Sequence, residues 1–362
     1  MRGSLFISAL AATATALVVP RQESIEATYD EACNIGYCSI MGATIGGWGG
    51  NYTTVSTIEQ FSAAVAGTQT GVVLINGTLA GSGTTQITIG SSKSILGLPG
   101  SSLTGLTLHL PTSRNVILRN LRMASPPSSS SILLTTSRSI WIDHCDFSSS
   151  PSPSPSLQTP TSPLISITNA SDYITITNNI FHSSSHPTLA LQIGHSDANA
   201  AQDADKFHIT AIGNWFRGVT SGVTFRFGTG HILNTLFDSV KDGINAQIGA
   251  NLLVESVVFK GVTRGVYSEG SAEAGKATVV DAVLGGATST APRGEMDANS
   301  VPYPYDWAVL PSDAVEENVV KVAGAKLRYI EPINWGETEI AEREGRTPPA
   351  ETHAHEDEVC ED

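Results

Sequence analysis

The segment Ser113-Arg-Asn-Val-Ile-Leu-Arg-Asn-Leu-Arg-Met123 is repeated further along the chain. It returns as Ser137-Arg-Ser-Ile-Trp-Ile-Asp-His-Cys-Asp-Phe147 and as Ser171-Asp-Tyr-Ile-Thr-Ile-Thr-Asn-Asn-Ile-Phe181. Weaker copies end at Phe216, Phe237 and Phe259, so the steps from Met123 onward are 24, 34, 35, 21 and 22 residues. A period of twenty-odd residues with one apolar strand per copy is typical of a solenoid. The longer steps indicate inserted loops, which commonly build the binding face of such folds.

The phase of the repeat predicts which side chains point inward, because side chains alternate along a strand. Four polar residues stand three positions before their markers and share the parity of the apolar Val and Ile positions: Asn120, His144, Asn178 and Asn234. We therefore expect an inward ladder of amides that satisfies backbone groups at a bend. Arg119 and Asp143 have the opposite parity and are expected to be outward lateral neighbours.

The two ends of the chain differ from this middle. Residues 1–16 have a secretory signal pattern, with Arg2, a short apolar run and Ala14-Thr-Ala16. No later run reaches the ~18 apolar residues of a membrane helix. We assign 17–31 to a leader or propeptide-like segment and 32–330 to one domain, in which 53–66 forms a capping helix with Thr57 as N-cap. The stretch 302–327 is expected to pack back on the coil, and 331–362 is assigned to an acidic, disordered tail.

Export is supported by further features of the sequence. Asn51, Asn76 and Asn169 are N-glycosylation acceptors, and 148–163 is a Ser/Pro/Thr-rich loop. Cys33 and Cys38 are close enough to close a small disulfide loop. Cys145 lies in a strand pattern. It is either a small buried hydrophobic residue or the disulfide partner of Cys360, and the sequence leaves both alternatives open. The protein is expected to be a secreted, extracellular monomer.

The charge of the chain excludes one class of partner. The formal net charge is −14, so a nucleic-acid ligand is not expected, and no membrane partner is expected either. Between Glu59 and Glu255 there is no glutamate, and between Lys93 and Lys206 there is no lysine. A charge-poor middle rich in Ser, Thr, Asn and β-branched residues favours stacked short strands.

The sequence resembles the pectate lyase superfamily, specifically the fungal-type pectate and pectin lyases, over nearly all of 30–328. The matching segments are Gly46-Gly-Trp-Gly-Gly50, Lys93-Ser-Ile-Leu-Gly-Leu98, Val116-Ile-Leu-Arg-Asn-Leu121, Trp141-Ile-Asp-His144, Ser171-Asp-Tyr-Ile-Thr175, Ile193-Gly-His-Ser-Asp197 and Phe225-Arg-Phe-Gly228 with His231. This resemblance implies an all-β, single-stranded, right-handed parallel β-helix with a short N-terminal capping helix. It also implies eliminative cleavage of galacturonan, with a pectin-like polysaccharide as ligand.

The resemblance also places the family's site residues on this chain, and most of them are substituted. The arginine that serves as base falls on Ser221, whereas a second family arginine is kept as Arg226. The acidic Ca²⁺ ligands of the family fall within 128–131 and 162–166, where this chain has serines, and the substrate-binding lysine falls on Thr188 or Leu189. A calcium site needs several anionic oxygens, so no cofactor and no metal site are expected.

The candidate site residues follow from these positions. Arg226 and the substituted base position Ser221 are the catalytic candidates, and Arg226, Arg217, His231 and His195 are the substrate-binding candidates. For Arg226 a structural role is an equal alternative, and for Arg217 a solvated position in a loop is the alternative. Asp143 and His144 are interpreted as structural. Consecutive His195-Ser196-Asp197 cannot form a hydrogen-bonded catalytic triad, and the histidines do not have zinc-ligand spacing.

Two functions remain open from the sequence. One is a lyase that degrades pectin, either Ca²⁺-independent on methylated chains or with Arg217 or a histidine as base. The other is a catalytically inactive carbohydrate-binding or cell-wall-associated protein on the same scaffold.

Overall fold

The computed structural model describes residues 25–125, 128–149, 162–183, 188–296 and 303–330. Its helices are α1 (Ile58–Val65), α2 (Ala200–Asp203) and α3 (Ser312–Val322), with 3₁₀ turns at Tyr37–Ser39 and Asp197–Asn199. Its strands in chain order are β1 (Ile25–Ala27), β2 (Asn51–Val55), β3 (Gly71–Ile75), β4 (Thr78–Thr88), β5 (Lys93–Gly97), β6 (Ser102–Pro111), β7 (Arg114–Arg119), β8 (Arg122–Ser125), β9 (Ile132–Thr135), β10 (Arg138–Asp143), β11 (Asp146–Ser149), β12 (Ile165–Thr168), β13 (Asp172–Thr177), β14 (Ile180–Ser183), β15 (Leu189–Ile193), β16 (Ile209–Ile212), β17 (Trp215–Arg217), β18 (Ser221–Phe225), β19 (Thr229–Asp238), β20 (Asp242–Ala246), β21 (Asn251–Lys260), β22 (Arg264–Tyr267), β23 (Lys276–Val283), β24 (Thr288–Ser289) and β25 (Leu327–Tyr329).

Parallel pairing between successive copies of the repeat forms three long sheets, here named A, B and C. Sheet A contains β2, β3, β5, β7, β10, β13, β16 and the first parts of β19, β21 and β23. Sheet B contains the first parts of β4 and β6, then β8, β11, β14, β17 and the last parts of β19, β21 and β23. Sheet C contains the last parts of β4 and β6, then β9, β12, β15, β18, β20, β22 and β24. The predicted right-handed parallel β-helix is confirmed, and the described residues complete about nine turns of it.

The phase markers of the repeat form a continuous aromatic stack in the core. The rings of Phe147, Phe181, Phe216, Phe237 and Phe259 are buried, and successive ring centroids are 5.3, 4.8, 4.7 and 5.0 Å apart. Replacing one such ring with alanine costs about 3–5 kcal/mol in a typical core. The stack therefore fixes the lateral register of one turn on the next.

The predicted inward ladder is wrong by one residue. Asn120, Asn178 and Asn234 have φ of 58°, 53° and 49°, and this left-handed conformation reverses the alternation of side chains. The inward ladder lies at the next position along the chain. Asn179 Oδ1 accepts from the Cys145 amide at 2.8 Å, and Asn214 Oδ1 accepts from both the amide and Nδ2 of Asn179 at 3.0 Å.

The left-handed asparagines instead hold the C-terminal segment against the coil. Asn120 Nδ2 donates to the Leu327 carbonyl at 3.1 Å, and Asn234 Nδ2 donates to the Ala308 carbonyl at 2.9 Å. Helix α3 packs on β19 and β21 through Val315 and Val319, which are fully buried. The prediction that this stretch packs back on the coil is confirmed.

The N-terminal end agrees with the sequence in one respect and differs in two. Thr57 caps α1 by accepting from the Gln60 amide at 3.2 Å, which confirms the predicted cap. The helix starts later than predicted, because Asn51–Val55 forms β2 and pairs with β3. Part of the segment assigned to a leader packs on the coil, because Ile25–Ala27 pairs with Leu327–Tyr329 and Glu31 contacts Arg119.

Several other predictions concern the cysteines and the chain ends. Cys33 and Cys38 form a disulfide. Cys145 is a buried free thiol whose pKa is raised by burial. The signal segment, the acidic tail with Cys360 and residues 150–161 of the Ser/Pro loop lie outside the described residues. Among the helices of the described chain, none has the length and apolarity to cross a membrane.

Candidate functional site

The outer face of sheet C contains the strand residues at the family's site positions, which are Ser166, Leu189 and Ser221. In β12, Ile165 and Ile167 point into the core, so Ser166 points outward. The register places Ser166, Gln192, Thr224 and Asn245 in one lateral row across four turns. This row is polar and uncharged.

A second lateral row on the same face includes Ser221, the position at which the family has its catalytic arginine. Ser221 lies at the start of β18, in register with Leu189 on one side and Asp242 on the other. Its amide donates to the Thr188 carbonyl at 3.1 Å. Ser221 and the substituted lysine position at Thr188 or Leu189 are therefore adjacent. A serine hydroxyl supplies neither a cation nor a strong base.

Arg226 follows β18 and lies at the edge of this face. Its Nε donates to Asp197 Oδ1 at 2.8 Å, and its side chain is 12% exposed. Asp197 also accepts from the Ala272 amide at 2.7 Å and from Ser271 Oγ at 2.8 Å. These hydrogen bonds, that of the Ala272 amide first, hold the pKa of Asp197 below its usual range. Through Asp197, Arg226 thus connects the end of β18 with the loops at 194–197 and 271–272, at the edge of sheet C.

His195 is exposed and lies next to Arg226. The residue before it, Gly194, accepts from Arg226 Nη1 at 3.4 Å, and a Cβ at Gly194 would lie 2.8 Å from Arg226 Cβ. Ser196 Oγ accepts from the Ala198 amide at 3.2 Å, and Asp197 pairs with Arg226. These partners agree with the exclusion of a triad at 195–197.

Two predicted substrate contacts lie elsewhere. His231 is fully buried on the outer face of sheet A, where the ring of Tyr303 covers it, with Nε2 2.8 Å from Glu255 Oε2 and Nδ1 3.1 Å from Tyr305 Oη. It does not contribute to the sheet C face, because the alternation in β19 directs it to the opposite side of the coil. Arg217 lies on sheet B, with its Cζ 5.3 Å from the ring centroid of Trp215, and its side chain also points away from sheet C.

One charged group on sheet C was missed by sequence reasoning. Arg264 Nε donates to Asp242 Oδ1 at 2.6 Å, its Nη1 pairs with Glu269, and its Cζ lies 4.1 Å from the ring centroid of Tyr267. The hydrogen bond to Asp242 is the main cause that raises the pKa of Arg264. The lateral spacing of 22 residues between Asp242 and Arg264 was the available signal, since it equals the last step of the repeat.

The residues at the family's calcium positions do not fit a calcium ion. Ser162 Oγ donates to the Ser128 carbonyl at 3.0 Å, so the two substituted loops are in contact. They bring together hydroxyl and carbonyl oxygens, whereas a Ca²⁺ site needs several carboxylates. Within the described ranges, no three His, Cys, Asp or Glu residues are grouped so as to hold a metal.

The outer face of sheet A holds the charged network that the repeat predicted. Arg119 Nε donates to Asp143 Oδ2 at 2.7 Å, which confirms their lateral pairing. Arg119 also pairs with Glu31 and lies over the ring of Trp141, with Cζ 4.9 Å from its centroid. Burial alone would raise the pKa of Asp143, but the contacts with His144 and Arg119 outweigh it and lower that pKa. The network supports a structural role for Asp143.

Comparison with known proteins agrees with the fold. The model of the pectate lyase family matches residues 7–327. Probable pectate lyase B of Aspergillus flavus is 32% identical over 321 residues, which cover 87% of this chain and 96% of that protein. Pectate lyase A of Aspergillus niger is 36% identical over 332 residues, covering 90% and 97%. The chain therefore belongs to the pectate lyase family.

A solved structure gives the same architecture. A pectate lyase of Bacillus sp. N165, determined in complex with trigalacturonate, superposes with a TM-score of 0.65 at 22% identity. The superposition covers 81% of this chain and 98% of that one. At this identity, the likeness shows the fold of this chain.

Proposed function

We propose that this protein binds a galacturonan chain across the outer face of sheet C and cleaves methyl-esterified stretches by β-elimination. Membership of the pectate lyase family supports the ligand class and the reaction. The single observation that carries the choice of esterified substrate is that the lateral row of Ser166, Gln192, Thr224 and Asn245 is uncharged. Neutral hydrogen-bonding groups suit a neutral ester better than a polyanion.

The two arginines on this face support the same choice. Arg226 is paired with Asp197, and Arg264 is paired with Asp242 and Glu269. A free carboxylate of pectate would have to compete with these protein carboxylates, and no calcium ligands are present to bridge it. A methyl ester carries no charge that needs neutralising, so we propose that the reaction does not use Ca²⁺.

We propose His195 as the base, in place of the arginine that the family has at position 221. In β-elimination the base takes the proton α to the ester carbonyl, a carbon–carbon double bond forms, and the glycosidic carbon–oxygen bond breaks. The leaving oxygen then takes a proton from water. His195 is exposed and directly follows Gly194, whose carbonyl accepts from Arg226 Nη1, and a neutral imidazole accepts a proton, whereas Ser221 does not act as a base without a partner.

The test is the appearance of unsaturated products, which absorb ultraviolet light. We expect cleavage of methylated pectin, little cleavage of pectate and no effect of a calcium chelator. His195→Ala should lower the rate by roughly 100-fold or more, whereas Ser221→Ala should leave it within about twofold. Faster cleavage of pectate with Ca²⁺ than of pectin without it would contradict the proposal.

A second candidate function is binding without cleavage. It is favoured by the serine at the base position and by the pairing of Arg226 with Asp197. Adsorption of the protein to pectin without any release of unsaturated products would establish this function and refute the first.

We further propose that the protein is a secreted, glycosylated monomer. The sequons at Asn51 and Asn76 support this, because both side chains are exposed, at the start of β2 and just after β3. Asn169 is half-buried in a turn and is a weaker acceptor. Endoglycosidase treatment of the secreted protein should reduce its mass, and Asn51→Gln combined with Asn76→Gln should abolish most of that change.

A further inference from the structure

The loop Gly46-Gly-Trp-Gly-Gly50 holds an exposed tryptophan on the outer side of sheet A. Trp48 is 58% exposed, and Tyr52, four residues later on β2, is 52% exposed. Large aromatic side chains are costly to leave in water, and most of them in this protein are buried. Two exposed rings beside one edge of the coil therefore need an explanation.

The loop that carries Trp48 is built rigidly. The amides of Ile45 and Gly46 both donate to Asn115 Oδ1 at 2.8 Å, and the Gly47 amide donates to Ser94 Oγ at 2.9 Å. A Cβ at Gly47 would lie 2.1 Å from the Gly71 carbonyl oxygen, so the backbone rests directly on β3. Asn115 and Ser94 belong to the rows of sheet A. The tryptophan is thus held in place by three turns of the coil.

The surroundings of the two rings are polar apart from Tyr29, whose ring lies edge-on to that of Tyr52 with centroids 6.0 Å apart. Asn51, Thr53 and Thr54 are all exposed on the same strand as Tyr52. A stable protein partner needs roughly 800 Å² of surface on each side, which two separate rings among polar side chains do not supply. A sugar ring, by contrast, has about the area of one aromatic ring and presents one apolar C–H face. Tryptophan and tyrosine suit such a ligand because each has an apolar face and a polar group.

We propose that Trp48 and Tyr52 form a second carbohydrate site, here named the aromatic platform, which stacks on sugar rings of a wall polysaccharide. The identity of that polysaccharide as galacturonan rests on the proposed function. The aromatic platform lies on the outer side of sheet A, whereas the proposed cleavage face belongs to sheet C. It therefore anchors the protein to a polymer without occupying the face that acts on it.

The test is adsorption of the secreted protein to a cross-linked pectin gel, before and after endoglycosidase removes the glycan proposed at Asn51 beside Tyr52, and both forms should adsorb. We expect Trp48→Ala to weaken adsorption by roughly tenfold and Tyr52→Ala by a smaller factor. Trp48→Phe, which keeps a ring, should retain most of the affinity. Met41→Ala is the matched control, because Met41 is 75% exposed in the neighbouring loop and has no ring. Melting curves of all four variants should match that of the unchanged protein.

The outcomes separate this inference from the proposed function. Cleavage of short, soluble methylated oligomers should be unaffected by Trp48→Ala. One outcome is that the protein releases no unsaturated products from any substrate while Trp48→Ala still weakens adsorption. In that case the cleavage proposal fails and the aromatic platform stands. Absence of adsorption by the unchanged protein, equal loss in Met41→Ala, or loss of a dimer instead of adsorption in Trp48→Ala would overturn the aromatic platform.

Discussion

The outer faces of sheets A and C each carry an arginine paired laterally with an aspartate, but the two pairs lie in different surroundings. On sheet A the side chains of Arg119 and Asp143 are 8% and 1% exposed, because the N-terminal segment covers them. On sheet C the side chains of Arg264 and Asp242 are 31% and 12% exposed. Asp143 of the buried pair lies in the segment Trp141-Ile-Asp-His144, whereas Ser166 and Ser221 on sheet C are uncharged. The covered charged pair of sheet A is therefore the one expected to stabilise the coil.

The largest expected effect is on the buried pair. Asp143→Asn removes the charge that compensates Arg119 and replaces one of the two carboxylate oxygens, which accept from Arg119 Nε and Thr177 Oγ1, with an NH₂ donor. We expect a loss of about 3–5 kcal/mol in the free energy of unfolding, since among the described residues it leaves the buried arginine with Glu31 as its remaining anionic partner. Chemical denaturation of the unchanged protein and of Asp143→Asn at neutral pH measures this difference in the free energy of unfolding. Unchanged stability would show that the network on sheet A is not structural.

The same pair should make the free energy of unfolding depend on pH in the acidic range. The pKa of Asp143 is lower in the folded protein than its ordinary value of 3.8. Its contribution is therefore fully present above about that pH and is lost as the pH falls through the folded pKa, by at most about 1.4 kcal/mol per pH unit. The difference in unfolding free energy between the unchanged protein and Asp143→Asn should shrink below pH 3.8. A difference that is constant with pH would contradict the ion pair.

A smaller effect is expected on sheet C. Asp242→Asn breaks a pair whose arginine is partly solvated and keeps Glu269 as a second partner. We expect a change of about 1 kcal/mol or less, measured under the same denaturation conditions as Asp143→Asn. Equal losses in the two variants would remove the distinction between the faces.

No effect is expected from calcium. A cation bound at a concentration 100 times its Kd would add about 2.7 kcal/mol to the stability of the folded protein. The serine loops at 128–131 and 162–166 offer no carboxylate, so millimolar Ca²⁺ should leave the melting temperature unchanged. A rise in melting temperature with stoichiometric binding in calorimetry would show that carboxylates from elsewhere complete the site.

The repeat was sufficient to predict the turns and the pairing of Arg119 with Asp143, because both depend on lateral register alone. It did not predict the position of the asparagine ladder, since one left-handed residue per turn reverses the inward parity at Asn179 and Asn214. The burial of His231 depends on Tyr305, which is 74 residues away, and the salt bridge of Arg119 with Glu31 spans 88 residues. Contacts between the coil and the chain ends lie outside any periodic pattern.

The pairing of β1 with β25 has a consequence for how the coil comes apart. In a linear stack of turns, each turn contacts only its neighbours, so fraying should start at the two outermost turns. Here the first and last described strands pair with each other and lie against turns in the interior of the coil, through Glu31 with Arg119 and Leu327 with Asn120. The two ends of the described chain are therefore not the ends of the coil. A protease that removes β1 or β25 would expose the Arg119–Asp143 pair to solvent. Unfolding would then begin at turns in the interior of the coil and not at its outermost turns.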